Sequence, residues 1–327
     1  MSLREKTAFG ALTILLAVFP WLAGISRSFS HYTDVMIFAG IFSLVTLGLS
    51  LLMGFAGQIS LAQAAFFGIG AYGSGIFTVH FHWNPWAALA AGALVAVAIA
   101  WLVGKPALRL KGHYLAMATL GFGVIVHIIM NEEVDWTGGP SGLGGIPGLS
   151  VAGRKLTGDM AWFYLVWGMV LLVFLFSRHV LHSRVGRALR AIHDDEKAAE
   201  AMGVPVATLK VQVFMYSAVT ASIAGSLYAH YVSFLSPGSF DLMWSIRFVL
   251  MVVVGGMQSL WGALVGTVLL TFVGNEWLQV FADFEILVYG GILLIVALFV
   301  PQGLVVWLQG MVGRRRGLRE THSDGGS

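Results

Sequence analysis

The chain has 327 residues, 57% hydrophobic and 11% charged, with 19 basic and 16 acidic side chains giving a formal charge of +3. Soluble domains carry roughly 25% charged residues, so these are too few to cover a water-facing surface, and the mean hydropathy of +0.82 points the same way. A cytosolic enzyme, a nucleic-acid binder and, with no cysteine present, a secreted disulfide scaffold are excluded, which leaves a polytopic membrane protein.

Apolar stretches long enough for a hydrocarbon core of roughly 30 Å fall near 8–25, 35–54, 59–79, 86–104, 114–131, 161–177, 210–231, 246–273 and 285–309. The first follows Arg4 and Lys6 like a signal peptide, but residues 21–26 lack a small-x-small cleavage site, so it reads as a span. In the third, Gly68-Ile-Gly-Ala-Tyr-Gly73 fits the dinucleotide fingerprint letter for letter. It has no preceding strand and no acidic residue about 20 positions on, so it is a decoy. Gly70-x-x-x-Ser74, Ala71-x-x-x-Gly75 and Gly262-x-x-x-Gly266 instead place small residues one turn apart, where helix backbones approach closely in lipid.

No histidine cluster has metal-ligand spacing: His80 and His82 point to different sides of a helix, and His113 and His182 border loops. His127 lies inside the 114–131 span, facing either a cavity or, near the interface, a backbone carbonyl. No catalytic constellation can be argued from spacing, and no metal or cofactor is expected.

Basic residues set the orientation. Lys105, Arg109 and Lys111 share one loop, Arg178, Arg184, Arg187, Arg190 and Lys197 another, and Arg314, Arg315, Arg316 and Arg319 crowd the tail. These segments and the N-terminus are expected in the cytoplasm. The 132–160 loop, headed by Glu132, Glu133 and Asp135, and the acidic 274–284 loop are expected outside. For both ends of this arrangement to hold, 246–273 must enter and return. It supplies two helices of roughly 20 Å each, with Gly255-Gly256 as the natural break; the competing reading is one long tilted span. Gly54-Phe-Ala-Gly57-Gln58-Ile-Ser60-Leu and Gly255-Gly256-Met-Gln258-Ser259-Leu share Gly, Gln, Ser and Leu, either as an internal repeat or by chance. Broken helices of this kind sit beside transport paths. Gln58, Ser60, Gln63, Gly255 and Gly256 are therefore expected near the bundle centre, with His127 a candidate beside them, because polar or unwound backbone at depth needs protein or water around it.

Residues 184–203 are too polar to span and too helical for a plain loop. Asp194 is expected to cap a helix whose first turn holds Asp195 and Glu196, and Gly203 with Pro205 ends it. If helicity is continuous, Leu189, Ile192, Ala199 and Met202 share a face. That face is too small and Ala-rich for firm membrane burial and suits a groove on another protein. Ala198, Ala199 and Ala201 would allow close approach, Asp194, Asp195, Glu196 and Glu200 would fix register, and Ala199→Trp is expected to block docking.

The chain resembles the membrane subunits of bacterial ABC importers of the branched-chain amino acid class, the LivM-type permeases, over roughly residues 35 to 305. The resemblance is carried by residues 57–72 (GQISLAQAAFFGIGAY), 106–116 (PALRLKGHYLA), 119–123 (TLGFG), 137–142 (TGGPSG), 186–192 (GRALRAI), 198–203 (AAEAMG) and 255–262 (GGMQSLWG). It implies an all-α transmembrane bundle with broken or re-entrant helices and a cytoplasmic coupling helix. A single permease domain would occupy 1–310, with the coupling loop at 178–209 and a basic tail at 311–327. The implied protein is a multi-pass inner-membrane subunit that hydrolyses no ATP itself. It would work with a second, similar permease, two cytoplasmic ATPase subunits and an extracytoplasmic binding protein. Lys197-Ala-Ala-Glu-Ala-Met-Gly203 resembles the ATPase-coupling motif Glu-Ala-Ala-x-x-x-Gly; Lys197 replaces its Glu, and its later Ile-x-Leu-Pro portion is absent. Val124 and His127 stand where relatives commonly carry Glu and Arg, which leaves the substrate open between branched-chain amino acids and amides, urea or aromatic acids. The competing function is a stand-alone channel or secondary transporter, disfavoured because few acidic residues lie within spans.

Overall fold

A computed structural model describes residues 27–110, 112–151, 154–156, 158–277 and isolated positions between 288 and 303. The expected span at 8–25, most of the 285–309 span and the 278–284 loop, and the tail at 311–327 lie outside the described residues. The described chain forms eleven α-helices: α1 (Arg27–Ser50), α2 (Gln63–Val79), α3 (Pro85–Ala107), α4 (His113–Glu132), α5 (Val134–Thr137), α6 (Asp159–His182), α7 (Arg184–Asp194), α8 (Glu196–Ala201), α9 (Val206–Val232), α10 (Leu242–Gly255) and α11 (Leu260–Phe272). Five are long and apolar enough to cross a membrane, and α10 and α11 are shorter apolar helices. The protein is therefore an all-α polytopic membrane protein.

Burial sorts these helices. α1 is enclosed on nearly every side, and α2, α9, α10 and α11 pack around it or against one another. α3, α4 and α6 are peripheral and turn Leu94, Leu102, Ile125, Ile129, Leu172 and Phe176 outward, as a lipid-facing surface requires.

Close packing in the centre depends on absent side chains. A Cβ on Gly225 of α9 would stand 1.8 Å from the Phe67 carbonyl oxygen, and one on Gly70 of α2 2.0 Å from that of Ser222. The glycines of 68–73 therefore serve helix contact and no nucleotide. Buried hydroxyls add polar links of the kind that join helices in lipid. Thr46 and Thr267 hydroxyls lie 2.7 Å apart, joining α1 to α11. His230 Nδ1 donates to the Pro147 carbonyl at 2.7 Å, which leaves Nε2 to accept from the Ser74 hydroxyl at 2.8 Å. One neutral imidazole thus ties α2, α9 and the loop after α5 together.

The stretch 242–272 folds as the broken pair, not as one tilted span. Gly256, at φ +118°, begins the turn between α10 and α11, and the two helices then pack backbone to backbone. A Cβ on Gly255 would lie 1.9 Å from the Gly262 carbonyl oxygen, and one on Gly266 2.2 Å from that of Met251. Glycine at these positions is what lets the chain double back.

The two ends of the bundle differ. At one end Leu143–Gly144 pairs antiparallel with Phe234–Leu235, and Ser150–Val151 with Arg154–Lys155. Sequence predicted only a Gly/Pro-rich loop here, because two-residue ladders are too short to show a period of two. The opposite end gathers Gly57, Leu110, Ile192, His193 and Lys210 around one cavity, and so collects the basic 105–113 and 178–209 segments together.

Candidate functional site: an unwound polar segment and a two-helix foot

After α1 the chain widens into a π-helical turn, Leu51–Phe55, and leaves helical geometry. A Cβ on Gly54 would stand 1.9 Å from the Met257 carbonyl oxygen, so the π turn abuts the α10–α11 turn directly. The Ser50 hydroxyl donates to that same Met257 carbonyl at 2.9 Å. Gly57, at φ +66°, redirects the chain, and residues 58–62 run non-helically to the start of α2.

Backbone at this depth needs partners, and three neighbouring helices provide hydroxyls. Leu61 N–H donates to Thr119 Oγ1 of α4 at 3.0 Å, and Ala64 N–H to Ser245 Oγ of α10 at 3.0 Å. The Gln63 amide donates to Ser217 Oγ of α9 at 3.0 Å. Gln58, Ser60 and Gln63 are 2%, 1% and 0% exposed, and Gly255 and Gly256 are buried beside them. Both polar atoms of the Gln58 amide and the oxygen of Gln63 meet no partner among the described residues. Each such buried group costs about 1–3 kcal/mol, so this stretch is chemically prepared for water or a polar solute.

His127 stands apart from that group. Its Nδ1 is buried without a partner among the described residues, and the residue lines a cavity of about 310 Å3 with Val124, Asp241, Leu242, Met243 and Ile246. Asp241 is occupied as the N-cap of α10, accepting from Trp244 N–H at 3.1 Å. None of Gln58, Ser60 and Gln63 lines this cavity.

At the basic end, α7 and α8 form a foot under the bundle. The helicity is not continuous across 184–203: it breaks at Asp195, whose backbone is extended at φ −153°. The expected cap, Asp194, is the last residue of α7; Asp195 is the cap, accepting from Lys197 N–H at 2.8 Å and Ala198 N–H at 3.1 Å. The break separates the expected apolar face. Leu189, Ile192 and Ala199 are buried in the chain's own core, Ala199 at 3% exposure, while Met202 is 85% exposed. Ala199→Trp would therefore disrupt the foot itself, and the exposed surface of α8 belongs to Lys197, Ala198, Glu200, Ala201 and Met202. Gly203, at φ +82°, makes the sharp turn toward α9.

Two links that sequence reading missed hold the foot. Lys210 Nζ of α9 lies 2.8 Å from Glu196 Oε1 of α8, with the lysine side chain 7% exposed. At the end of α7, His193 Nε2 lies 3.0 Å from the Gln258 amide nitrogen in the α10–α11 turn. Both join residues distant in sequence, and no local pattern announces them.

The sequence profile of the family described as branched-chain amino acid transport system / permease component matches residues 31–297. The chain is similar to the high-affinity branched-chain amino acid transport permease LivM of Salmonella typhimurium, with 31% identity covering 93% of this chain and 76% of the relative. LivM of Escherichia coli K12 gives the same figures. LivH of that strain is 24% identical, covering 81% of this chain and 91% of its own length. No solved structure gives a significant match. With the family profile spanning most of a chain that folds as a bundle of membrane-crossing and broken helices, this protein belongs to the branched-chain amino acid transport permease family.

Proposed function

We propose that the chain is the translocating subunit of an ATP-driven importer for branched-chain amino acids or related small polar solutes in the bacterial plasma membrane. It pairs with a second, similar permease and two cytoplasmic ATPase subunits, and receives solute from an extracytoplasmic binding protein. The path runs along the unwound segment at Gln58, Ser60 and Gln63 and past Gly255 and Gly256, with His127 on a separate cavity wall. The observation that carries this reading is Gln58: a glutamine 2% exposed, both amide atoms without a partner among the described residues, on non-helical backbone that lines the cavity at the basic end. The foot serves the ATPase. Asp194, Asp195, Glu196 and Glu200 give α8 and its cap an acidic rim, and Ala198, Ala201 and Met202 give it a small apolar tread.

Proteoliposomes holding this chain, its companion permease and the ATPases test the reading. Accumulation of labelled leucine is expected only with ATP inside and loaded binding protein outside. Met202→Asp should abolish co-purification of the ATPase while leaving the permease in the membrane. Uptake by this chain alone, without ATP, would establish the stand-alone channel instead.

A further inference from the structure

Among the foot residues beside the unwound segments, His193 makes a polar contact. His193 is the penultimate residue of α7, two residues before the break at Asp195. Its Nε2 meets the Gln258 amide nitrogen at 3.0 Å, reaching the turn between α10 and α11. Its other ring nitrogen faces Gly57, where a Cβ would stand 3.1 Å from Nδ1, so the ring also rests on the end of the π turn. Those two turns are already locked together through Ser50, Gly54 and the Met257 carbonyl. The imidazole therefore sits against both broken elements at once.

α7 is anchored to the end of α6 by Arg190, which donates from Nη2 to the Leu181 carbonyl at 2.6 Å, and by buried Leu189 and Ile192. A cavity of about 220 Å3 beside the ring, bounded by Gly57, Gln58, Ile192, Glu196 and Lys210, leaves the inner ends of these elements room to shift. A push on the foot then has two routes into the bundle: Glu196–Lys210 into α9, and His193 into the paired turns.

We infer that His193 is the positioning residue that carries movement of the α7–α8 foot to the Gly54–Gln58 and Gly256–Gln258 turns, and so couples ATPase closure to the inner end of the path. This rests on the docking role proposed for α8. The contact is polar and solvent-facing, so it can break and re-form in each cycle.

The assembled importer in proteoliposomes supplies the test, with solute moved per ATP hydrolysed as the readout. His193→Ala should leave assembly and stimulated ATP hydrolysis intact and lower that ratio roughly fivefold, the equivalent of a hydrogen bond of about 1 kcal/mol. His193→Gln, which keeps a side-chain partner for Gln258, should recover most of it. Because the chain has no cysteine, His193→Cys with Gln258→Cys can be oxidised cleanly. The cross-linked complex should hydrolyse ATP without transport, and reductant should restore it. A wild-type ratio in His193→Ala, or normal transport by the oxidised double variant, overturns the inference. If Met202→Asp also leaves ATPase binding and coupling unchanged, the docking role falls with it; if Met202→Asp uncouples and His193→Ala does not, only the role of His193 falls.

Discussion

Replacing Lys210 by Met asks how firmly the foot is held to the membrane-spanning helices. Met keeps most of the aliphatic stem that packs beside Val206 and Val211, and removes the ammonium 2.8 Å from Glu196. Breaking a fully buried ion pair from one side costs about 3–5 kcal/mol, because the surviving charge is stranded. Here the Glu196 side chain is 26% exposed and has a further interaction, so water and that partner recover part of the loss. The expected cost is about 2 kcal/mol, roughly a thirtyfold change in an equilibrium constant. Denaturation of the purified permease by SDS in mixed micelles, followed by tryptophan fluorescence, measures it. Glu196→Gln in the Lys210→Met background should recover at least half, since removing both charges abolishes the stranded one. A loss below about 0.5 kcal/mol in the single variant, or strict additivity in the double, would refute the link as drawn.

Two further expectations follow from the geometry. Gly225→Val places a Cβ 1.8 Å from the Phe67 carbonyl oxygen, a backbone atom that yields only if α2 and α9 part. Overpacking of this kind costs about 2–3 kcal/mol, which the same titration reads, and wild-type stability would show that the two helices separate freely. Gln58→Leu removes two buried partnerless amide atoms, so stability should hold or rise by about 1 kcal/mol while leucine uptake falls. Unchanged uptake at equal protein level would take Gln58 off the path.

What the sequence showed and what it hid have physical explanations. The glycine break at 255–256 was legible because charge parity and glycine spacing, two independent signals, marked the same place. Close packing through Gly70 was legible because small residues one turn apart have few other uses inside a lipid-embedded bundle. The cap was misplaced by one residue because Asp194 and Asp195 are chemically identical. Only the course of the chain, with α7 anchored through Leu189 and Ile192, decides which one leaves the helix. Ala199 looked like an outer face for the same reason: an amphipathic projection assumes continuous helicity, and the extended Asp195 rotates everything after it. The ladder between 143–144 and 234–235, the Lys210–Glu196 pair and the His230 bridge each join segments far apart in sequence. A single sequence has no term for such pairings.

The likeness between residues 54–61 and 255–260 shows how far a shared motif constrains structure. The two segments meet in space, with Gly54 against the Met257 carbonyl and Ser50 bonded to it. Their serines differ in part. Ser259 Oγ is the N-cap of α11 and accepts from Gly262 N–H at 3.1 Å, whereas Ser60 Oγ accepts from Ala62 N–H at 3.3 Å in the loop before α2, whose N-cap, Ala62, offers no side-chain acceptor. Their glutamines diverge. Gln58 is buried against the cavity beside the foot, whereas Gln258 is exposed and bonds His193. In both places a glycine at positive φ turns the chain, Gly57 at +66° and Gly256 at +118°. A long amide side chain takes its role from its surroundings: one glutamine is buried beside the foot cavity, and the other is exposed and bonds α7.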